Sequence, residues 1–375
     1  MDLKSYLNQN PYINIYESTH DQADVFHLME TSAMTAGTMD LIYDRTPDFE
    51  SLLRCQSSLH CTVIGRNPKK NIFALVSFSF SQKWIQGIKN PCAYVGDFRT
   101  DFSRYSTLQW RQIYLNLLRS LQNDKNFGSP KYFLTAILKK NLTALRVLVQ
   151  PKKDLGFYYQ QIAEVAMVNV FGFLWGAPAP KYELQAATHQ DEAAIREFLN
   201  LQEKEKNFGS VFDQSEADCW NERKKSWPHF SIENFLIIKD SSNKIIACTL
   251  PWNPDFAKRM RVQKLSLSLK IVFKFLNFLG VSAPLENENL KIIYLTHLNI
   301  APSISKAEAV YAFLRKVRKL HPEVHMISFS DENGFSKKLK SLIRQSTPVL
   351  LFSVSLKSDH KLSKSAKVGF EMSLV

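Results

Sequence analysis

The stretch VGDFRTDFSRYSTLQW, Val95 to Trp110, decides how this chain is read. Its first residues continue a β-like run, CAYVGDFRTD (92–101). Past a short polar loop, Trp110, Ile113, Tyr114, Leu117 and Leu121 recur at helical spacing and make one apolar face. A strand that runs into a helix leaves several backbone N–H groups without intrahelical partners at the helix start. Those donors, with the positive end of the helix dipole, suit an anion such as a diphosphate. Arg104 adds a charged fork, and Ser106 and Thr107 add hydroxyl donors.

Working outward, YINIYE (12–17), HCTVIG (60–65) and NIFALVSFSFSQKWI (71–85) read as strands, with a helix over 22–34 between the first two. Beyond the loop, KYFLTAIL (131–138) is a strand and NLTALRVLV (141–149) a short helix that Asn141 is placed to cap. AEVAMVNVFGF (163–173) alternates as a strand. LWGAPAPKYE (174–183) then breaks the pattern, because Pro178 and Pro180 favour an extended connector. The domain boundary is expected there, giving domains 1–175 and 181–375.

The second half repeats the order. Strands are expected over 182–188, 234–240, 244–252, 290–302, 324–331 and 347–356, and helices over 190–205, 306–320 and 334–343. On the 306–320 helix, Ala309, Ala312, Phe313, Lys316 and Leu320 share a stripe. The expected fold is therefore α/β (α+β): two domains in tandem, each a mixed, mostly antiparallel sheet flanked by helices. The repetition is one of element order, with no clear residue-level repeat.

The chain has 375 residues and a formal net charge of +13, which favours anionic partners. Neither zinc-finger spacing nor an RNA-binding signature occurs, so nucleic acid is not the expected partner. Five cysteines, an odd number without a CxxC, point to free buried thiols in a reducing compartment. The start lacks the apolar core of a signal peptide, and a cytoplasmic location is the default expectation. No His/Asp/Glu cluster has metal-ligand spacing, GxSxG and Walker loops do not occur, and no metal is expected.

Three stretches, in order, resemble the GNAT acyltransferase superfamily: GDFRTDFSRYSTLQW, LTAILKKNLTALRVLV and DLGF, together within residues 92–157. The resemblance implies an acyl-CoA substrate, here acetyl-CoA or another acyl-CoA. Its pantetheine arm would lie along Phe98, Arg99 and Thr100. Its diphosphate would lie on Arg104, Tyr105, Ser106, Thr107 and Leu108. Asn141 either holds the arm or only caps its helix. Arg104 fits the first position of the family's Arg/Gln-x-x-Gly-x-Gly/Ala loop, but Thr107 and Gln109 stand where the glycines belong, and a Cβ there crowds a phosphate. The implied reaction is direct attack of an amine, on a small molecule or a peptide, at the thioester, with an acetyl group transferred. Asp97 is the candidate base, its alternative a partnered structural carboxylate. The family's acidic Tyr falls near Leu148, which has no proton to give.

In the second half, YLTHLNI puts Leu295, His297 and Asn299 on one strand face, and His297 is the second candidate base, or else a hydrogen-bonded core histidine. An insertion at about 257–288 begins basic and turns apolar. Its 257–284 segment reads as a lid over an acyl site, a contact with an anionic membrane surface, or a helix packed between domains. A non-catalytic binding protein and an aminoacyl transferase using charged tRNA are the alternative functions on the same fold.

Overall fold

The computed structural model describes the chain except residues 32–33, 36–38, 102, 150–157, 175, 216–217, 279, 281, 333, 357–361 and 363–366. The whole DLGF stretch, 154–157, thus lies outside the described residues. The first half runs α1 (Leu3–Asn8), β1 (Ile13–Ile15), α2 (Ser18–Thr31), β2 (Met34–Thr35), β3 (Met39–Asp44), α3 (Ser51–Gln56), β4 (Leu59–Arg66), β5 (Ile72–Ile85), β6 (Ile88–Thr100), α4 (Arg104–Gln122), β7 (Tyr132–Leu138), α5 (Leu142–Ala144) and β8 (Tyr158–Phe173). A π turn, Leu145–Val149, extends α5. The second half runs β9 (Gln185–Ala186), α6 (Glu192–Lys204), β10 (Lys206–Asn207), β11 (Gly209–Ser210), α7 (Cys219–Ser226), β12 (Leu236–Lys239), β13 (Ile245–Trp252), β14 (Arg259–Leu265), α8 (Leu267–Phe278), β15 (Ile292–Ile300), α9 (Lys306–Leu320), β16 (Met326–Asp331), β17 (Leu342–Ser355) and β18 (Lys367–Val368).

One 13-stranded sheet crosses both halves in the order β1-β4-β5-β6-β7-β17-β8-β16-β15-β13-β12-β9, with β11 added beside β5. Within it β6–β7 and β15–β16 pair in parallel and the other neighbours antiparallel. The fold class is thus a mixed α/β one with a large, mostly antiparallel sheet flanked by helices. The halves exchange their last long strands. β17 lies between β7 and β8, while β8 lies between β17 and β16.

Each half buries one long helix against its sheet. From α4, Trp110, Tyr114, Leu117 and Leu121 pack on Val63, Val76, Phe78 and Val95. From α9, Val310, Phe313, Leu314 and Val317 pack on Leu236, Ile238, Ile293 and Ile327. A fully buried Leu or Val is worth about 1.5–3 kcal/mol, so these stripes fix both helices. The α9 stripe is turned from the expected one: Leu320 is exposed and Lys316 half-buried. The helix expected over 334–343 is a 3-10 turn, Phe335–Lys338, because Leu342 and Ile343 already pair with Phe173 and Gly172. The expected strand over 182–188 shortens to β9.

Candidate functional site

The β6–β7 ladder runs from Cys92↔Tyr132 to Val95↔Thr135 and stops. Thr135 Oγ1 closes it by donating to Val95 O at 3.0 Å. Past that point β6 stays with β5 as far as Thr100↔Ala74, and β7 stays with β17 as far as Leu138↔Val349. The sheet therefore forks. At the fork β6 carries a bulge: Ser77 pairs Gly96 and Leu75 pairs Arg99, so Val76 faces both Asp97 and Phe98. Asp97 takes the left-handed backbone, φ 47°, that re-aims a strand at such a place. α4 starts at Arg104, just beyond the fork, with its N-terminal amides at that end.

The second half repeats the device. β15 and β16 pair in parallel only through Tyr294↔Ser328. Leu250 pairs Thr296 and Cys248 pairs Asn299, so Thr249 faces His297 and Leu298, and His297 has φ 53°. Asp97 and His297 thus occupy matching bulges. At the start of α9, however, Ser305 Oγ already accepts from Glu308 N at 3.4 Å.

Asp97 is partnered. Its Oδ2 lies 3.3 Å from Arg45 Nη1, and the Arg45 side chain is wholly buried. Arg45 also donates to Phe49 O, and its guanidinium sits 4.9 Å from the Phe49 ring centroid and 5.9 Å from that of Tyr43. Burial is the largest influence and opposes its charge, but Asp97 and Tyr43 together outweigh it and the Arg45 pKa ends up raised. Arg99 lies 6.0 Å from the Tyr43 ring, and Phe98 meets Tyr114 edge-on at 5.1 Å. Thr100 is buried. Arg104, Tyr105, Ser106, Thr107 and Leu108 form the first turns of α4, with the backbone alone described. Asn141 caps α5: its Oδ1 accepts from Ala144 N at 3.0 Å.

His297 is buried and has both ring nitrogens engaged. Thr296 Oγ1 donates to Leu250 O at 2.8 Å, so it accepts from His297 Nδ1, 3.0 Å away. Nε2 then accepts from Arg223. Burial, with Arg223 second, pushes its pKa well below the ordinary imidazole value. The ring is a neutral bracket for Arg223 inside a cage of Phe212, Trp227, Phe230 and Phe235.

Sequence reasoning missed three features. Lys258, read as part of the basic start of the insertion, is buried. Its Nζ donates to the main-chain oxygen of Val375 at 2.7 Å and sits 4.9 Å over the Tyr294 ring. Burial first, then Arg45, lowers its pKa to about 7, against the pull of Asp97. Arg45 gave no pattern signal, since only the fold brings it to Asp97. The third is a cavity of about 90 Å³ at the second fork, lined in part by Glu203, Lys206, His297, Asn299, Glu332 and Glu371. Glu203, Lys206 and Asn299 close a ring of bonds at 2.6, 2.8 and 3.0 Å. Glu371 Oε2 accepts from His297 N at 3.3 Å. Burial raises the carboxyl pKa of both Glu332 and Glu371.

All five cysteines are free and buried. Burial pushes the thiols of Cys55, Cys61 and Cys92 up to about 12. Among the described residues no cluster of His, Cys, Asp or Glu is arranged to hold a metal, and no helix is long and apolar enough to cross a membrane.

The forked, bulged sheet with a helix starting at the fork is a GNAT-like fold. No protein-family profile and no curated protein matches the sequence. Among solved structures, Saccharomyces cerevisiae N-myristoyltransferase with bound myristoyl-CoA is similar, with a TM-score of 0.55 at 10% identity over 96% of this chain and 89% of that one. The same enzyme with myristoyl-CoA and inhibitors gives a TM-score of 0.57 at 11% identity over 96% and 86%. A GCN5-related N-acetyltransferase from Sphaerobacter thermophilus gives 0.48 at 12% identity over 79% and 81%.

Proposed function

We propose that this protein transfers an acyl group from an acyl-CoA to an amine. The observation that carries the reading is the fork past Val95 and Thr135, beside the Asp97 bulge and the start of α4. A diphosphate rests on the α4 amides, and the acyl-pantetheine arm enters between β6 and β7. The likeness to an N-acyltransferase that binds myristoyl-CoA supports the same class of donor here.

The amine lone pair attacks the thioester carbonyl, the C–S bond breaks, and the amine loses a proton. Direct transfer fits the cysteines, whose raised thiol pKa values make poor nucleophiles near neutral pH. Of the groups near the bulge, Asp97 is tied to Arg45, whereas Lys258 reaches its neutral form near pH 7 and is the better base. Two domains divided near 174–183 and a cytoplasmic setting belong to this reading. Acetyl is the simplest group transferred.

Calorimetric titration with a series from acetyl-CoA to myristoyl-CoA tests it and reads out chain length. Binding is expected, and Arg104→Glu weakens it at least about tenfold while leaving thermal stability intact, because an acidic residue suits a helix start. Absence of heat with every acyl-CoA defeats the transferase and leaves a non-catalytic binding protein.

A further inference from the structure

α8 is held on one face and bare on the other. Phe273 and Leu276 are buried with Tyr294 and Met326, and Phe171 packs on Phe273 at 6.2 Å. Both ends are fixed: Leu269 N donates to Ser266 Oγ at 3.4 Å, and Asn277 exchanges bonds of 3.0 and 2.8 Å with Ala283. Opposite that anchor, Leu267, Ile271, Phe275 and Phe278 follow at i, i+4, i+8 and i+11, with Val272 alongside. Their exposures are 76%, 62%, 59%, 86% and 48%. Five large apolar side chains in one stripe on a rigid helix are more than scattered surface hydrophobics.

The segment that carries the stripe has charges of one sign. Residues 257–284 hold Lys258, Arg259, Arg261, Lys264, Lys270 and Lys274 and no Asp or Glu. Lys258 is buried, Arg259 pairs with Asp44 at 3.0 Å, and Lys270 pairs with Glu286 at 2.9 Å. Arg261, Lys264 and Lys274 are exposed and have no carboxylate within salt-bridge distance among the described residues. Lys274 flanks the stripe on α8, and Arg261 and Lys264 come from the adjoining β14. Glu286 lies near enough to Lys264 to be stabilised by it, yet forms its ion pair with Lys270. An apolar stripe edged by exposed cations outside salt bridges matches the interface of an anionic bilayer, with apolar side chains at the acyl boundary and cations at headgroup phosphates.

We propose that α8 seats the protein on an anionic membrane surface, lying in the interface plane with Leu267, Ile271, Phe275 and Phe278 inserted. This is independent of acyl transfer, since it is read without any CoA. Flotation with phosphatidylcholine vesicles holding about 30% phosphatidylserine tests it against pure phosphatidylcholine vesicles. The protein should float with the anionic vesicles and bind them less at raised salt. Ile271→Asp/Phe275→Asp should lose at least about tenfold in binding, and Lys264→Gln/Lys274→Gln about fivefold per cation removed. All four positions are exposed, so melting temperature and acyl-CoA titration should not change. The proposal is overturned by absence of binding to anionic vesicles, by equal binding to neutral ones, or by an unaffected Asp variant. It is likewise overturned if sedimentation shows a dimer that Ile271→Asp/Phe275→Asp dissolves, which would give the stripe to a second copy.

Discussion

Asp97 and His297 occupy equivalent bulges, and their neighbours give them different work. Asp97 neutralises a guanidinium that has no exposure of its own. Asp97→Ala leaves that charge buried alone, which costs about 3–5 kcal/mol. Urea unfolding should show the loss, and Arg45→Met/Asp97→Asn, which keeps a residue tolerant of the left-handed backbone, should recover most of it. His297→Ala takes the acceptor from Arg223 and should cost about 1–3 kcal/mol. It should not remove a pH limb near 6, because a ring this depressed does not titrate there. Lys258 is depressed in the same sense, but into the neutral range. Its folded pKa, about 7, lies below the unfolded value, so the unfolded chain binds the extra proton between the two. Its burden on stability is full below pH 7 and lifts as pH rises toward the unfolded pKa. Lys258→Met should therefore melt no lower than the parent at pH 6, while the rise of transfer rate through about pH 7 disappears.

At the scale of elements, the strand–loop–helix at 95–110 and the order around it could be read, because alternation and helical spacing are local properties. The bulges could not: each puts the alternation one residue out of phase without a local mark, so Asn299 shares a face with Thr296 and Ile300 shares one with Leu295, against the expected grouping of Leu295, His297 and Asn299. Nor could the early start of β17, where 342–346 follow a helix-like lysine-rich run and become strand only by pairing with β8. Of the candidate site, the strand-to-helix corner that places Asp97 and the start of α4 was legible. Arg45, Lys258 and the second-fork cavity come from distant segments meeting, which no window of sequence contains. One such meeting is between two glycines. A Cβ on Gly369 would stand 2.6 Å from Gly209 Cα and 2.8 Å from Phe208 O, both backbone atoms. Gly369→Ala should cost about 1–3 kcal/mol by overpacking. It should also displace the segment that carries Glu371, visible as faster amide exchange at His297.

For the whole molecule, the exchanged strands govern behaviour. Without β17, β7 and β8 face each other across a missing strand, and without β8 the same holds for β16 and β17. Residues 1–180 made alone should be unfolded or insoluble by circular dichroism and sedimentation. Co-expression with 181–375 should restore a soluble pair, and cleavage at the Pro178–Pro180 connector of the intact protein should leave the pieces together.

That interlacing also sets a timetable for biosynthesis. A ribosome delivers β7 and β8 long before the strand that must lie between them, so the early half waits with open hydrogen-bonding edges until residue 355 has cleared the exit tunnel. Nascent chains of this protein should call on chaperones late and heavily, and slowing translation should bring no benefit to their yield.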